Sequence, residues 1–243
     1  MDQLTEFTAE IAREIDRVFI GAMQAARAHG GLELGRSYGG PEAVGVLIDL
    51  RTRLGEEGGK VTNEQFVPFR RYWDPAQTHQ ALLRQAELGM ITYEDGTIEA
   101  TGRGRELITA VYTLHARITR SWPEHLAPWA HRVLQAARIS PPETADGHAL
   151  AAVAPPFEPP GTPTGVLLLN RLSCLRYARA DAHASAWQSA GATAAEMSSE
   201  SVDHATRTRI EERTNETAAG PWTALSDAER DEFLKGLQDL RQE

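Results

Sequence analysis

The feature that most constrains this chain is the dense punctuation of residues 74–101. Asp74-Pro75-Ala76-Gln77 supplies a helix start, with Asp as N-cap, Pro at the first helical position and Gln three residues after the cap. Gly89 suits the left-handed residue that ends such a helix. Two short β-prone runs follow, Met90-Ile91-Thr92-Tyr93 and Thr97-Ile98-Glu99-Ala100, around Glu94-Asp95-Gly96. Asp-Gly between two such runs predicts a tight hairpin, because both central residues of its turn need positive φ. Thr101 then caps another helix, with Leu107, Ile108, Val111, Leu114 and Ile118 as its apolar stripe and Trp122-Pro123 as its stop.

The residues upstream extend this order. Phe7, Ile11, Ile15, Val18, Ala22 and Ala25 recur at helical steps and predict a helix over 7–28, stopped by His29-Gly30-Gly31. Pro41 opens the next helix, in which Val44, Leu47, Ile48 and Leu54 are apolar and which ends at Gly58-Gly59. Val61 reads as extended, and Thr62 to Gln65 as a capping box for a short helix that Pro68 should distort. Helix, turn, helix, hairpin, helix is the winged-helix order. The stretch THQALLRQAELGMITYEDGTIEATGRGREL also resembles the recognition helix and wing of MarR-type regulators, with Thr101, Gly104 and Arg105 at the matching helix start. That resemblance covers roughly a third of the chain. It implies a winged helix-turn-helix that binds double-stranded DNA, commonly as a homodimer on pseudo-palindromic sites.

Beyond residue 122 the pattern is mainly helical. Short helices are expected over 123–137 and 226–241, the latter opened by a Ser226 capping box, and longer ones over 166–190 and 193–219. A Pro- and Gly-rich stretch over 140–165 reads as an ordered loop or linker. Arg176, Arg179, Asp181, His183 and Trp187, with Ile210, Glu211, Thr214, Pro221, Trp222 and Leu225, resemble the motifs of an uncharacterised actinobacterial helix-turn-helix family. The expected fold is therefore mainly α: a winged-helix module with one small β-hairpin and an added helical domain. Residues 1–41 are an N-terminal helix and linker, 42–121 the DNA-binding domain, and 122–243 a ligand-sensing or dimerisation domain. The helices at 7–28, 102–121 and 226–241 are the candidate dimer interfaces.

Two residue groups carry the functional expectation. On the helix after Asp74, Leu82, Leu83 and Ala86 should pack inward, leaving Gln77, Thr78, Gln80, Arg84 and Gln85 toward DNA. Gln can bond adenine bidentately and Arg guanine. The wing tip, Glu94-Asp95-Gly96 with Glu99 beside it, would repel phosphate, so Arg103 and Arg105 at its base are the candidate backbone anchors, aided by Arg70 and Arg71. On the long helix, Arg176, Arg179, His183 and Trp187 fall three or four apart along one stripe. Guanidinium, imidazole and indole groups so placed suit a small planar or anionic ligand, while Leu168, Leu172, Leu175 and Ala182 face the core. The same spacing also fits structural ion pairs around a core tryptophan.

Composition narrows the classes. The net charge of −9 opposes whole-surface attraction to nucleic acid, so DNA contact must be local to one module. No apolar run reaches the roughly 18–20 residues of a membrane span, and the acidic amphipathic N-terminus lacks a secretory pattern, so a cytoplasmic location is expected. Cys174 is the sole cysteine and sits in an apolar run, which excludes an internal disulfide. The eight histidines form no local metal-ligand pair, and no nucleophile elbow or phosphate loop occurs, so neither metal nor enzyme chemistry is expected and no cofactor is indicated. An acid/base pair of Asp181 and His183 is disfavoured because side chains two apart on a helix diverge. The alternative function is a winged-helix-shaped module that binds a small molecule or a protein without touching DNA.

Overall fold

The computed structural model describes residues 2–199 and 201–240. About 71% of the chain is helical, with one small three-stranded antiparallel sheet. Helix α1 (Gln3–Ala26) begins where the Asp2 side chain accepts from the Thr5 N–H at 2.8 Å. It breaks at His29 and Gly30, the latter at φ 104°, before α2 (Leu32–Ser37). Pro41 opens α3 (Pro41–Asp49), and a non-helical Leu50 separates it from α4 (Arg51–Leu54), so the single helix expected here is two pieces. Strand β1 (Lys60–Thr62) leads into α5 (Asn63–Phe69), where the Gln65 side chain accepts from the Thr62 N–H at 3.0 Å. Pro68 is tolerated because that helix ends one residue later.

Asp74 caps α6 (Pro75–Glu87) by accepting from the Gln77 N–H at 2.9 Å. Strands β2 (Ile91–Glu94) and β3 (Thr97–Ala100) are joined through Asp95 at φ 48° and Gly96 at φ 71°, the two positive values a tight hairpin requires. Strand β3 lies centrally, in the order β1-β3-β2. Val61 pairs with Ile98 on one side and Tyr93 with Ile98 on the other, and Ile91 with Ala100. Val61, Ile91, Ile98 and Ala100 are buried, so the sheet closes over the helices with one face.

Helix α7 (Gly102–Ile118) is capped by Thr101, whose hydroxyl oxygen accepts from the Gly104 N–H and whose hydroxyl donates to Gly89 at 2.7 Å. After α8 (Leu126–Ile139) the loop expected over 140–165 is ordered and folds back onto α4. The Thr52 hydroxyl donates to the Val153 carbonyl at 2.9 Å, and the Phe157 N–H to the Thr52 carbonyl at 2.5 Å. The long helix α9 (Thr164–Ser189) follows. The next segment, expected as one helix, is α10 (Ala194–Ser198) and α11 (His204–Ala219), because Asp203 starts a new helix by accepting from the Thr206 N–H. A single turn Gly220–Ala224 precedes α12 (Asp227–Asp239), opened by the Ser226–Glu229 box.

The larger of two apolar cores runs from Ile11 to Leu240, and α9 is its axis, packed by α1, α7, α8 and α11. Leu168, Leu172, Leu175 and Ala182 are buried as expected, but so are Asn170 and Arg171. The apolar stripes of α1, α7 and α12 are consumed inside the chain, against α9, α11 and one another.

The start of α7 is held against β2 through a glycine. A Cβ at Gly104 would sit 2.2 Å from the Met90 carbonyl oxygen. That neighbour is backbone and cannot rotate away. Gly104→Ala should lose about 1–3 kcal/mol in urea unfolding, whereas Gly102→Ala, with open space around it, should be near neutral.

Candidate functional site

Two surfaces hold the residues of interest. The first is the outer face of α6 with the β2–β3 hairpin. Gln77, His79, Gln80, Leu83 and Arg84 are exposed, and Thr78 is half-buried. Gln85 does not join them. It is 2% exposed, and its side-chain oxygen accepts from the Leu47 N–H, which ties α6 to α3. Leu83, expected in the core, is 44% exposed instead. The cause is helical phase: Leu82 and Gln85 are three apart and share the inward face, while Leu83 is turned about 100° away.

The cations of this surface are partly committed. Arg84 pairs with Glu42 and Glu87, each at 3.2 Å. Hydrogen bonds from these two carboxylates hold its guanidinium above its ordinary pKa. Arg103 donates to the Leu88 carbonyl at 3.2 Å and to Tyr38, and Arg105 to the Ala100 carbonyl at 2.6 Å. Both brace the base of the hairpin. Of the supporting arginines, Arg70 pairs with Asp49 and lies over the Trp73 ring, and Arg71 is buried. Lys60 pairs with Glu99 across the β1–β3 ladder at 2.6 Å.

The second surface is a groove of about 650 Å³ floored by α9 and walled by α1, α8 and α11. Ile11, Ile15, Leu175 and Trp222 line its apolar part. Three members of the expected stripe also line it: Arg176, Arg179 and His183. Trp187 does not. Its indole N–H donates to the Tyr72 hydroxyl at 2.9 Å, and its ring belongs to a separate small core with Ala184, Ala186 and Ile210.

Each polar group of the stripe has a partner on a neighbouring helix. Arg176 donates to Asp16 of α1 at 2.5 Å and lies 4.4 Å over the Phe19 ring. Arg179 donates to the Asn215 side chain at 2.8 Å and to Glu211 of α11. The Thr214 hydroxyl gives its one proton to the Ile210 carbonyl at 2.7 Å, so the contact at 3.2 Å to His183 requires His183 Nδ1 to be the donor. Burial holds the His183 pKa below the ordinary histidine value of 6.5.

Sequence reasoning missed the α1 wall. Thr8, Arg13 and Asp16 line the groove, and Arg13 has no ion-pair partner among the described residues. Thr5 and Thr8 continue the inward stripe of α1 toward its start, a signal hidden because threonine is not scored as apolar. Asp181 also lines the groove, with its carboxylate spent on the returning loop and not on His183. Its carboxylate accepts from the N–H groups of Ala149 (2.7 Å) and Leu150 (3.0 Å) and from Arg71 (3.2 Å). Burial raises the Asp181 pKa above the ordinary carboxylate value, and these donors restrain the rise. Among the described residues no group of three His, Cys, Asp or Glu side chains is arranged to hold a metal ion. No described helix is long and apolar enough to cross a membrane.

Two outcomes follow from this geometry. Asp181→Ala leaves the Ala149 and Leu150 N–H groups unpaired, while Arg71 keeps Asp146 at 3.4 Å, and should cost about 1–3 kcal/mol for each unpaired group in chemical denaturation. Burial lowers the His183 pKa in the fold below its unfolded value of 6.5, so its share of stability is present above pH 6.5 and is lost as pH falls from there through the lowered folded value. His183→Gln should flatten that part of the stability–pH profile; an unchanged slope would place the titration elsewhere. Comparison with protein families, with curated proteins and with solved structures finds no match for this chain.

Proposed function

We propose that this protein is a ligand-responsive transcription regulator that binds double-stranded DNA through a winged helix-turn-helix over residues 42–121. The observation that carries this reading is the order α3, β1, α5, α6, β2, β3, α7 combined with the strand order β1-β3-β2. In that arrangement α6 is the recognition helix and the β2–β3 hairpin is the wing. Gln77 and Gln80 are exposed on α6 to meet base edges, with Thr78 half-buried beside them. Arg84 is held only by exposed ion pairs, which are worth about 0–1 kcal/mol and yield readily to a guanine or a phosphate. Arg103 and Arg105 serve mainly as braces of the wing base in the unbound protein.

The groove on α9 is the sensing site of this reading. Its size suits a small anionic or planar molecule. Such a ligand would compete with Asp16 and Glu211 for Arg176 and Arg179, and those pairs join α9 to α1 and α11. Ligand binding then changes how the helical walls sit, and in a homodimer the spacing of the two recognition helices, which is a differential affinity between two states.

A second reading has its own support. The wing tip is Glu94 and Asp95, and Val67, Trp73 and Leu83 are exposed on or beside α5 and α6. Those features favour a winged-helix-shaped module that binds a protein or small molecule without DNA. Fluorescence anisotropy with sites selected from genomic DNA separates the two. The regulator reading expects log K to fall with log salt at roughly −0.9 per phosphate contacted. Arg84→Ala should cost about 1–3 kcal/mol on the selected site and less on random duplex. No binding to any duplex at low salt would leave the second reading.

A further inference from the structure

The groove on α9 has a floor of two unlike strips. Leu175, Ala178 and Ala182 recur at helical steps and form one of them. Arg176, Arg179 and His183 repeat the same spacing one residue later and form the other, so an apolar strip runs beside a cationic one. The small side chains of Ala178 and Ala182, with Ala9 and Ala12 on the α1 wall, leave the space that longer residues would fill. The lining extends from Thr8 to Asp16 on α1 and from Leu175 to His183 on α9. Each run is a trough wall about 12 Å long at the helical rise.

The charged groups of this lining are unevenly spent. Its carboxylates are all engaged: Asp16 by Arg176, Glu211 by Arg179, and Asp181 by Arg71 and two backbone N–H groups. A cationic ligand therefore finds no carboxylate at liberty. Arg13, three residues before Asp16 on the same face of α1, is exposed and has no ion-pair partner among the described residues. Asp16 and Glu211 are themselves 50% and 54% exposed, so their arginines yield at little cost to an entering anion. The apolar lining is mainly aliphatic, with Ile11, Ile15, Val133, Leu150 and Leu175. Of its two aromatic residues, Trp222 is 5% exposed and packed against Phe7 and Phe233, and Tyr72 stands at the His183 end. Ring stacking thus has little to offer a flat ligand along the trough.

We propose that the groove binds an aliphatic monocarboxylate of medium chain length. The carboxylate takes Arg13 and draws Arg176 from Asp16, through the charge-assisted bonds a guanidinium makes with a planar oxyanion. The chain lies along Leu175, Ala178 and Ala182 against the isoleucines of α1. An extended chain of about ten carbons matches the length of the trough. The proposal rests on the reading of this groove as the sensing site and deepens it by naming the ligand class; it does not require that the protein bind DNA.

The test is calorimetric titration of the full chain, without DNA, with carboxylates from butyrate to tetradecanoate and with decanol and decylamine, each below its micelle concentration. Decanoate should bind one to one, at least tenfold more tightly than decanol, and decylamine should not bind. Affinity should rise about threefold to fourfold for each buried methylene and level off near ten to twelve carbons. Arg13→Gln should weaken decanoate at least fivefold and leave decanol unchanged. Ala178→Leu, which fills the floor without touching a charge, should weaken both, with circular dichroism reporting the fold of each variant. Equal binding of decanol and decanoate would overturn the anionic class while leaving the groove a ligand site. Absence of binding by every probe would overturn the class and the sensing-site reading together. Affinity that keeps rising through tetradecanoate, or that is indifferent to Arg13→Gln and to Ala178→Leu, would mean adsorption elsewhere and would also sink the proposal. Duplex affinity is read separately by anisotropy, so loss of the regulator reading is not mistaken for loss of the ligand.

Discussion

The buried contact between Arg71 and Asp181 is the interaction on which the arrangement of this molecule depends. Arg71 belongs to the turn between α5 and α6, and Asp181 to the middle of α9. Their side chains are 3% and 1% exposed, so neither can be satisfied by solvent if the other moves. Asp181 also collects the Ala149 and Leu150 N–H groups, and Arg71 donates to the Gly147 carbonyl at 2.9 Å. Sheet module, returning loop and central helix thus meet at one carboxylate. A buried pair of this kind adds little net stability over an apolar substitute, but it makes wrong packings costly.

From that point α9 organises everything else. It is covered by helices on several sides, so it buries Asn170 and Arg171 as well as leucines. Where the cover is incomplete, between α1, α8 and α11, the groove remains. Arg176, Arg179 and His183, which face it, are each joined to a neighbouring helix. The turn that presents α6 and the helix that floors the groove share the Arg71–Asp181 link. The proposed sensing groove and the proposed DNA-reading helix thus meet at one buried ion pair.

The electrostatics of the α6 face set the terms of any DNA contact. Fixed acidic residues sit at the tip of the β2–β3 hairpin, and the nearby arginines spend their donors on carboxylates or backbone carbonyls. Binding in such a setting would rely on Gln77, Thr78 and Gln80 reading bases, with Arg84 exchanging its partners, more than on a basic field drawing in the duplex. The exposed Trp73, packed under Arg70, adds apolar area close to the same helix.

Elements set by local chemistry were legible without the structure. Asp74, Thr101 and Ser226 each cap the helix expected of them, and Asp95-Gly96 makes the hairpin, because such interactions close within four residues. The alignment of Arg176, Arg179 and His183 on one face of α9 was equally readable from helical spacing. The rest was decided at long range. Gln85 went inward because its position, not its polarity, sets the face it lies on, and a Leu47 N–H was there to meet it. Trp187 left its stripe for Tyr72, 115 residues away in sequence. The α1 wall of the groove came from the far end of the chain, and the burial of Arg51 and Asn170 runs against the preference of both residue types for water. By itself the sequence determined which segments are helices and which make the hairpin, since caps and periodicity act on neighbours. Only the tertiary structure decided which polar side chains lose their water and against whom, since that depends on partners brought together from distant parts of the chain.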